Sequence, residues 1–232
     1  MKFKLADRKN ALVFAFWSTI NKVVLRRKFV EVEIEGRENI PADQGFMLVC
    51  NHSARWDGLL VYNLINRPAN FLVHPNELKG FQGTVMKSMG AFPASTQFDL
   101  QSHIENQLRK GEGIVIFPEG GIHRDGQTHQ FRSGVARFAL NAVRTGIEVP
   151  IVPVAIRYFD EVKKVRLTIG APVAASEYLG EFQRESGQAV RALTNRLQRE
   201  VAHMRYEMGA EQEAVTLFNT PAEARKHWAQ PA

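Results

Sequence analysis

The run Asn51-His52-Ser53-Ala54-Arg55-Trp56-Asp57 sets an imidazole and a carboxylate five positions apart. It follows Phe46-Met47-Leu48-Val49-Cys50, a short unbroken apolar run that reads as a buried strand. The segment Trp56–Ile65 reads as a helix. His52 then stands at a strand exit and Asp57 in or near the first turn of the following helix. A carboxylate so placed can accept the proton of one ring nitrogen and fix the tautomer, leaving the other nitrogen as a base. The plainer alternative is a satisfied loop histidine and an aspartate that caps the helix. Where a hydroxyl attacks a carbonyl, such a base would take the proton as the bond forms. Backbone amides of the 52–57 turn are candidates for holding the resulting oxyanion.

A second constellation follows Gly113–Phe117, another short apolar run. It is Pro118-Glu119-Gly120-Gly121, a carboxylate at a strand exit beside glycines that let a substrate approach the backbone. The alternatives for Glu119 are an ion pair or a helix cap. Arg124, Arg132 and Lys79 are candidate phosphate contacts, of which Arg124 lies closest to the acidic block; each alternatively reads as an exposed surface charge. Cys50 lies two residues before His52, which raises a Cys-His nucleophile, but a buried strand cysteine is the reading we prefer. His123 and His129 lack the partners of a zinc site, so no metal is expected. No nucleotide fingerprint or Walker loop is present.

Strands are expected over Val30–Ile34, Phe46–Cys50, Asn70–Val73, Gly113–Phe117, Ile151–Ile156 and Val165–Ile169. Helices are expected over Trp56–Ile65, Gly83–Met89, Phe98–Arg109, Gly134–Arg144 and Ala189–Met208. This alternation predicts a single α/β domain over 29–210, with a largely parallel central sheet flanked by helices. Pro150 and Pro153 cannot donate to a ladder, which places their strand at an edge or beside a bulge. Residues 211–232 have weak periodicity and are expected to form a partly mobile tail.

Charge is unevenly spread. The 232 residues carry a net +6, yet residues 1–28 hold eight basic residues against Asp7 alone, a local +7. Apolar residues including Phe14, Phe16 and Trp17 recur among them at helical spacings. The longest apolar stretch, Ala11 to Trp17, is far short of the ~20 residues that span a bilayer, and a secretory signal is not expected without a small-residue cleavage site. A basic amphipathic helix with an aromatic face suits the surface of an anionic membrane. The alternative is a helix that packs its apolar side on the domain and leaves its lysines in water. The basic residues are interleaved with aliphatics rather than arranged as a stacking platform, which favours lipid over nucleic acid. One cysteine excludes an intramolecular disulfide and fits a reducing compartment, so the expected location is cytoplasmic, peripheral on the inner membrane face.

His-x4-Asp followed by Phe117-Pro118-Glu119-Gly120 resembles the glycerolipid acyltransferase family, whose members acylate glycerol phosphate and lysophosphatidic acid. Phe131-Arg132-Ser133-Gly134 and Val149-Pro150-Ile151-Val152-Pro153-Val154 are similar to further blocks of that family, in the same order. The resemblance implies His52 as general base oriented by Asp57, and Glu119 in acceptor binding with Gly120 and Gly121. It implies acyl-CoA or acyl-carrier protein as co-substrate, a lysolipid acceptor and no further cofactor. In the family the glutamate block commonly continues Thr-Arg-Ser, where this chain has Gly121-Ile122-His123, and Met89–Ser95 contains no arginine where a second block commonly ends in one. Those arginines are expected to hold the acceptor's phosphate, so the acceptor stays open. Two other functions stay open beside acyl transfer: a thioester or ester hydrolase using His52 to activate water, and a non-catalytic module that binds anionic lipid.

Overall fold

The computed structural model describes residues 3–7, 9, 11–159 and 163–209. The expected tail over 211–232 lies outside them. A helix, α1 (Ala11–Lys28), leads into β1 (Glu31–Glu35), β2 (Phe46–Cys50), α2 (Asp57–Leu64), β3 (Ala69–Val73), α3 (Gly80–Ser88), β4 (Ala91–Pro93), α4 (Leu100–Arg109) and β5 (Gly113–Ile116). The chain continues through α5 (Gly134–Arg144), β6 (Pro150–Phe159), β7 (Lys164–Ile169), β8 (Val173–Ala174), α6 (Leu179–Arg184) and α7 (Ser186–Glu207). The strands form one sheet in the order β1-β7-β6-β2-β5-β3-β4, with β8 also paired to β6. Every pairing is parallel except β6 with β7 and with β8. The α/β expectation therefore holds, with a mixed sheet that is mostly parallel.

Strands 2 and 5 are buried over their full length, as a parallel sheet covered on both faces requires. Period-two alternation sends Met47, Val49, Ile114 and Ile116 to one core, under α4, α5 and α7. Phe46, Leu48, Cys50 and Val115 go to the other, under α1 and α2. Because β2, β3, β5 and β6 run parallel, the segments after their carboxyl ends gather at one edge of the sheet, where open α/β folds form a crevice.

Several boundaries differ from expectation, with α3 and α7 each beginning three residues earlier and β6 running on to Phe159, and two further expectations are corrected for a specific physical reason. The proline strand is β6, and it lies inside the sheet between β2 and β7 rather than at an edge. Pro150 is its first residue, where no ladder donor is required. The Pro153 carbonyl accepts from the amide of Gly170 at 2.9 Å, in the break between β7 and β8. A strand residue's nitrogen and carbonyl point to the same side, so the missing N–H also falls at that break. The fourth helix begins at Leu100 rather than Phe98, because Asp99 caps it by accepting from the Ser102 amide at 3.2 Å. Strands β4 and β8, at three and two residues, are too short for periodicity to reveal, and α6, at six residues, has no buried face to mark it.

Helix α1 uses two faces. Leu25 and Asn21 are buried, and Phe14 and Trp17 pack against the α2 side of the core. Asn21 Nδ2 donates to the Leu59 carbonyl at 2.7 Å, and Trp17 Nε1 donates to Ser88 Oγ at 3.0 Å. A second stripe of Leu12, Phe16, Ile20 and Val23, three or four positions apart, stays exposed, with Leu12 at 84% and Phe16 at 58%. Among the described residues no helix is long and apolar enough to cross a membrane.

Candidate active site

Asn51 opens the site. Its side chain takes over the ladder where β2 ends: Nδ2 donates to the Ile156 carbonyl at 3.0 Å, and Oδ1 accepts from the Ile156 amide at 2.8 Å. The chain then turns, and His52 stands with its ring stacked on Phe117 at 4.4 Å between centroids. Nδ1 of His52 lies 2.8 Å from Asp57 Oδ2. An ionised carboxylate only accepts, so Nδ1 carries the proton and Nε2 holds the lone pair of the neutral ring.

Asp57 is 0% exposed. Its Oδ2 also accepts from the amides of Ser53 at 2.7 Å and Ala54 at 2.8 Å, and Oδ1 accepts from the Tyr158 hydroxyl. Asp57 does not cap α2: it is the first residue of that helix, and the amides it binds precede it. The capping alternative therefore lacks its hydrogen bond. The amide of His52 is engaged as well, with Glu119, and that of Asp57 donates to the Ala54 carbonyl. Four of the turn amides considered as oxyanion donors are thus already in use, which corrects that expectation for them.

Glu119 is 6% exposed. Its Oε2 accepts from the His52 amide at 3.2 Å and its Oε1 from the His129 amide at 3.3 Å. Burial raises its pKa to about 7, against the opposing pull of the two amides and the Arg205 charge. Gly120 turns the chain with φ 74°, and a β-carbon there would fall 2.4 Å from the Arg132 guanidinium carbon. The Arg132 head therefore lies against the Gly120 backbone, beside Glu119. Only glycine meets both requirements, the left-handed turn and the close approach.

The loop beyond Gly121 closes over this edge. The amide of His123 donates to the His52 carbonyl at 2.8 Å. The rings of His123 and His129 stack at 3.7 Å, and His129 Nε2 lies 2.8 Å from Asp125. Helix α7 holds the loop from behind: Arg205, 2% exposed, donates to Thr128 Oγ1 and to the Gly126 carbonyl, while Gln198 accepts from the Phe131 amide.

The structure thus unites His52, Asp57, Glu119, Gly120 and Arg132. Arg124 is exposed one residue past His123, and Lys79 is exposed at the start of α3; among the described residues neither is bonded to the His52–Glu119 unit. Cys50 is fully buried, and burial and then the Asp57 charge push its thiol well above the usual range, which opposes a thiolate nucleophile. Sequence reasoning missed Asn51, Tyr158 and Arg205. Tyr158 alone left a trace, since Val154, Ile156 and Tyr158 alternate along one strand face.

The chain is 26% identical over 208 residues to a 1-acyl-sn-glycerol-3-phosphate acyltransferase of Bacillus subtilis, covering 80% of this chain and 98% of that one. It is 28% identical over 152 residues to another of that name from Borreliella burgdorferi, covering 62% and 58%. The crystal structure of the 1-acyl-sn-glycerophosphate (LPA) acyltransferase PlsC from Thermotoga maritima shares its fold, with a TM-score of 0.67, 21% identity, and coverage of 84% of this chain and 79% of that one. The Acyltransferase family model matches residues 31–157, which span both the His52–Asp57 turn and the Glu119 block, and the chain belongs to that family.

Proposed function

We propose that this acyltransferase moves a fatty acyl group from a thioester, acyl-CoA or acyl-carrier protein, to the free hydroxyl of a lysophosphatidic acid-type acceptor at a membrane surface. The observation that carries the proposal is the 2.8 Å contact of His52 Nδ1 with buried Asp57, which leaves Nε2 as the basic ring atom. Nε2 takes the proton of the acceptor hydroxyl as its oxygen attacks the thioester carbonyl. The resulting imidazolium is stabilised by Asp57 and then returns the proton to the departing thiolate. The thioester is already activated, so no acyl-enzyme is required.

Glu119 and Gly120 bind the acceptor, and Arg132 supplies a planar cation beside them that can fork onto a phosphate. This assignment prefers Arg132 to Arg124 and Lys79, because its head lies against Gly120. The exposed stripe of α1, with Arg26, Arg27 and Lys28 in its last turn, suits the headgroup region of an anionic bilayer. On this reading the enzyme works from the cytoplasmic face as a peripheral protein.

The test incubates purified protein with acyl-CoA and 1-acylglycerol 3-phosphate, and measures thiol release together with diacyl product. Matched release and product are expected. Thiol release without lipid product would indicate a hydrolase, and neither would indicate a binding module. Arg132→Ala should raise the KM of the phosphate-bearing acceptor and leave that of the thioester unchanged. An equal rise in both would remove Arg132 from the phosphate role.

A further inference from the structure

Asp57 is fully buried, so both of its carboxylate oxygens need donors from the protein. Oδ2 receives the His52 ring and two amides, all from the local turn. Oδ1 receives the hydroxyl of Tyr158, which comes from a different strand, 101 positions away in sequence. Three features hold that hydroxyl in place. The Asn51 side chain locks the end of β2 to Ile156, two residues before Tyr158 on the same strand face. The antiparallel pairing of Tyr158 with Val165 of β7 fixes the far side of the strand. The buried ring of Phe29, just after α1, packs at 5.9 Å from the Tyr158 ring and at 6.2 Å edge-on to Trp56, the neighbour of Asp57.

We propose that Tyr158 is a positioning residue of the acyltransferase: its hydroxyl pins the free oxygen of Asp57 and so sets the angle and the strength of the Asp57–His52 hydrogen bond. The proposal rests on the reading of His52 as general base. A carboxylate held only through Oδ2 can turn about its last bond, and its negative charge is then less evenly shared between the two oxygens. A donor on Oδ1 stops the rotation and withdraws charge from Oδ2. Tyr158 thereby restrains how strongly Asp57 holds the imidazole, while touching neither substrate. Through Phe29 the same hydroxyl also depends on where α1 ends.

The experiment compares wild type with Tyr158→Phe, which removes one hydroxyl and little volume. Two readouts separate positioning from packing. The first is the split between kcat and KM: kcat should fall about 10- to 100-fold, the scale of a hydrogen bond to a charged group, with the KM of both substrates within about twofold. The second is the low-field proton resonance of His52 Nδ1, which needs no turnover and should move downfield as Asp57 Oδ2 gains charge. A folded Tyr158→Phe protein with wild-type kcat and an unmoved resonance would overturn the proposal, even if it had lost stability. Should Tyr158→Phe not fold, 3-fluorotyrosine in place of Tyr158, a stronger donor of nearly the same size, should shift the resonance upfield; an unmoved signal there would also overturn it. If His52→Ala retained full acyl transfer, the base reading would fail, and the resonance would still report whether Tyr158 acts on Asp57.

Discussion

The amide of His52 donates to Oε2 of Glu119 at 3.2 Å, so two motifs 67 positions apart in sequence form one unit. The His52 turn and the Glu119 block are therefore tied to each other by a backbone amide on one side and a side-chain carboxylate on the other, and neither can shift without breaking the contact. Parallel pairing of β2 with β5 makes this possible, because both strands deliver their exits to the same edge. One oxygen of Glu119 is held by the segment that carries His52, and the other by the loop that carries His129.

His52→Ala should abolish transfer in a folded protein, with a loss of about 10²–10⁴-fold or more from removal of the base. Asp57→Asn should cost about 10³–10⁴-fold, since an amide can donate to the imidazole and hold the wrong tautomer. The amide would also present a donor to the Ser53 or Ala54 amides, so some stability loss should accompany it. Steady-state kinetics with circular dichroism checks both. Wild-type turnover in either folded variant would dismantle the dyad.

Glu119 gives a pH-dependent stability with a defined sign. Its folded pKa is about 7 against an ordinary 4.5. Between those values the folded protein keeps a proton that the unfolded chain has released. The favourable contribution is complete below about pH 4.5, declines as pH rises to about 7, and is flat above. The shift corresponds to roughly 3 kcal/mol at 1.36 kcal/mol per unit. Glu119→Gln cannot titrate, so urea unfolding from pH 4.5 to 7.5 should show wild type losing stability relative to the variant by up to that amount. A difference that stays constant across the range would show that Glu119 does not titrate there.

How far the sequence foretold this site depends on the range of each contact. His52 and Asp57 are neighbours in one turn, and Glu119 follows an apolar run much like that before His52, so their types and positions were legible. The clamp on Asp57 was not. Tyr158 reaches it across the β2–β6 pairing, and strand order cannot be read from spacing. Arg205 likewise belongs to α7, whose helical periodicity was plain, but nothing in that period marks it as a buried cation that holds the 126–128 loop. Pro153 misled because its missing donor points at a break between two strands, a feature of pairing rather than of local sequence.

The N-terminal arm is tied down by charge. Lys9 Nζ is within 2.8 Å of Asp7 and 2.7 Å of Glu112, and its side chain is only 3% exposed. It also donates to Gln107 Oε1 at 3.2 Å, while Asn70 Nδ2 donates to the same Glu112 at 2.9 Å. Lys9→Met would keep the stem and leave Glu112 without its cation. A charged hydrogen bond of this kind contributes about 1.5–3 kcal/mol, and urea denaturation should show a loss of that size with the unfolding slope unchanged. A loss below about 0.5 kcal/mol would mean that water replaces the ammonium at little cost.

The outer stripe of α1 supplies the last prediction. Leu12 and Phe16 face solvent, so Leu12→Ser with Phe16→Ser should leave stability nearly unchanged. Large apolar side chains in a row on a helix that already packs its other face have no folding role to explain them, and burial in the headgroup region would remove them from water. Arg26 and Arg27, in the last turn, should add an attraction of about 1 kcal/mol each toward an anionic surface. Co-sedimentation with vesicles separates the two contributions. Arg26→Gln with Arg27→Gln should weaken binding to anionic vesicles at low salt, and the gap from wild type should close as salt shortens the screening length to about 8 Å and below. The serine pair should weaken binding at every salt concentration. It should also lower activity on vesicle-borne acceptor far more than on a soluble short-chain one. Vesicle binding that ignores both pairs of substitutions and the lipid charge would refute the membrane role of α1, and the helix would then be a structural cover whose outer face is simply left apolar.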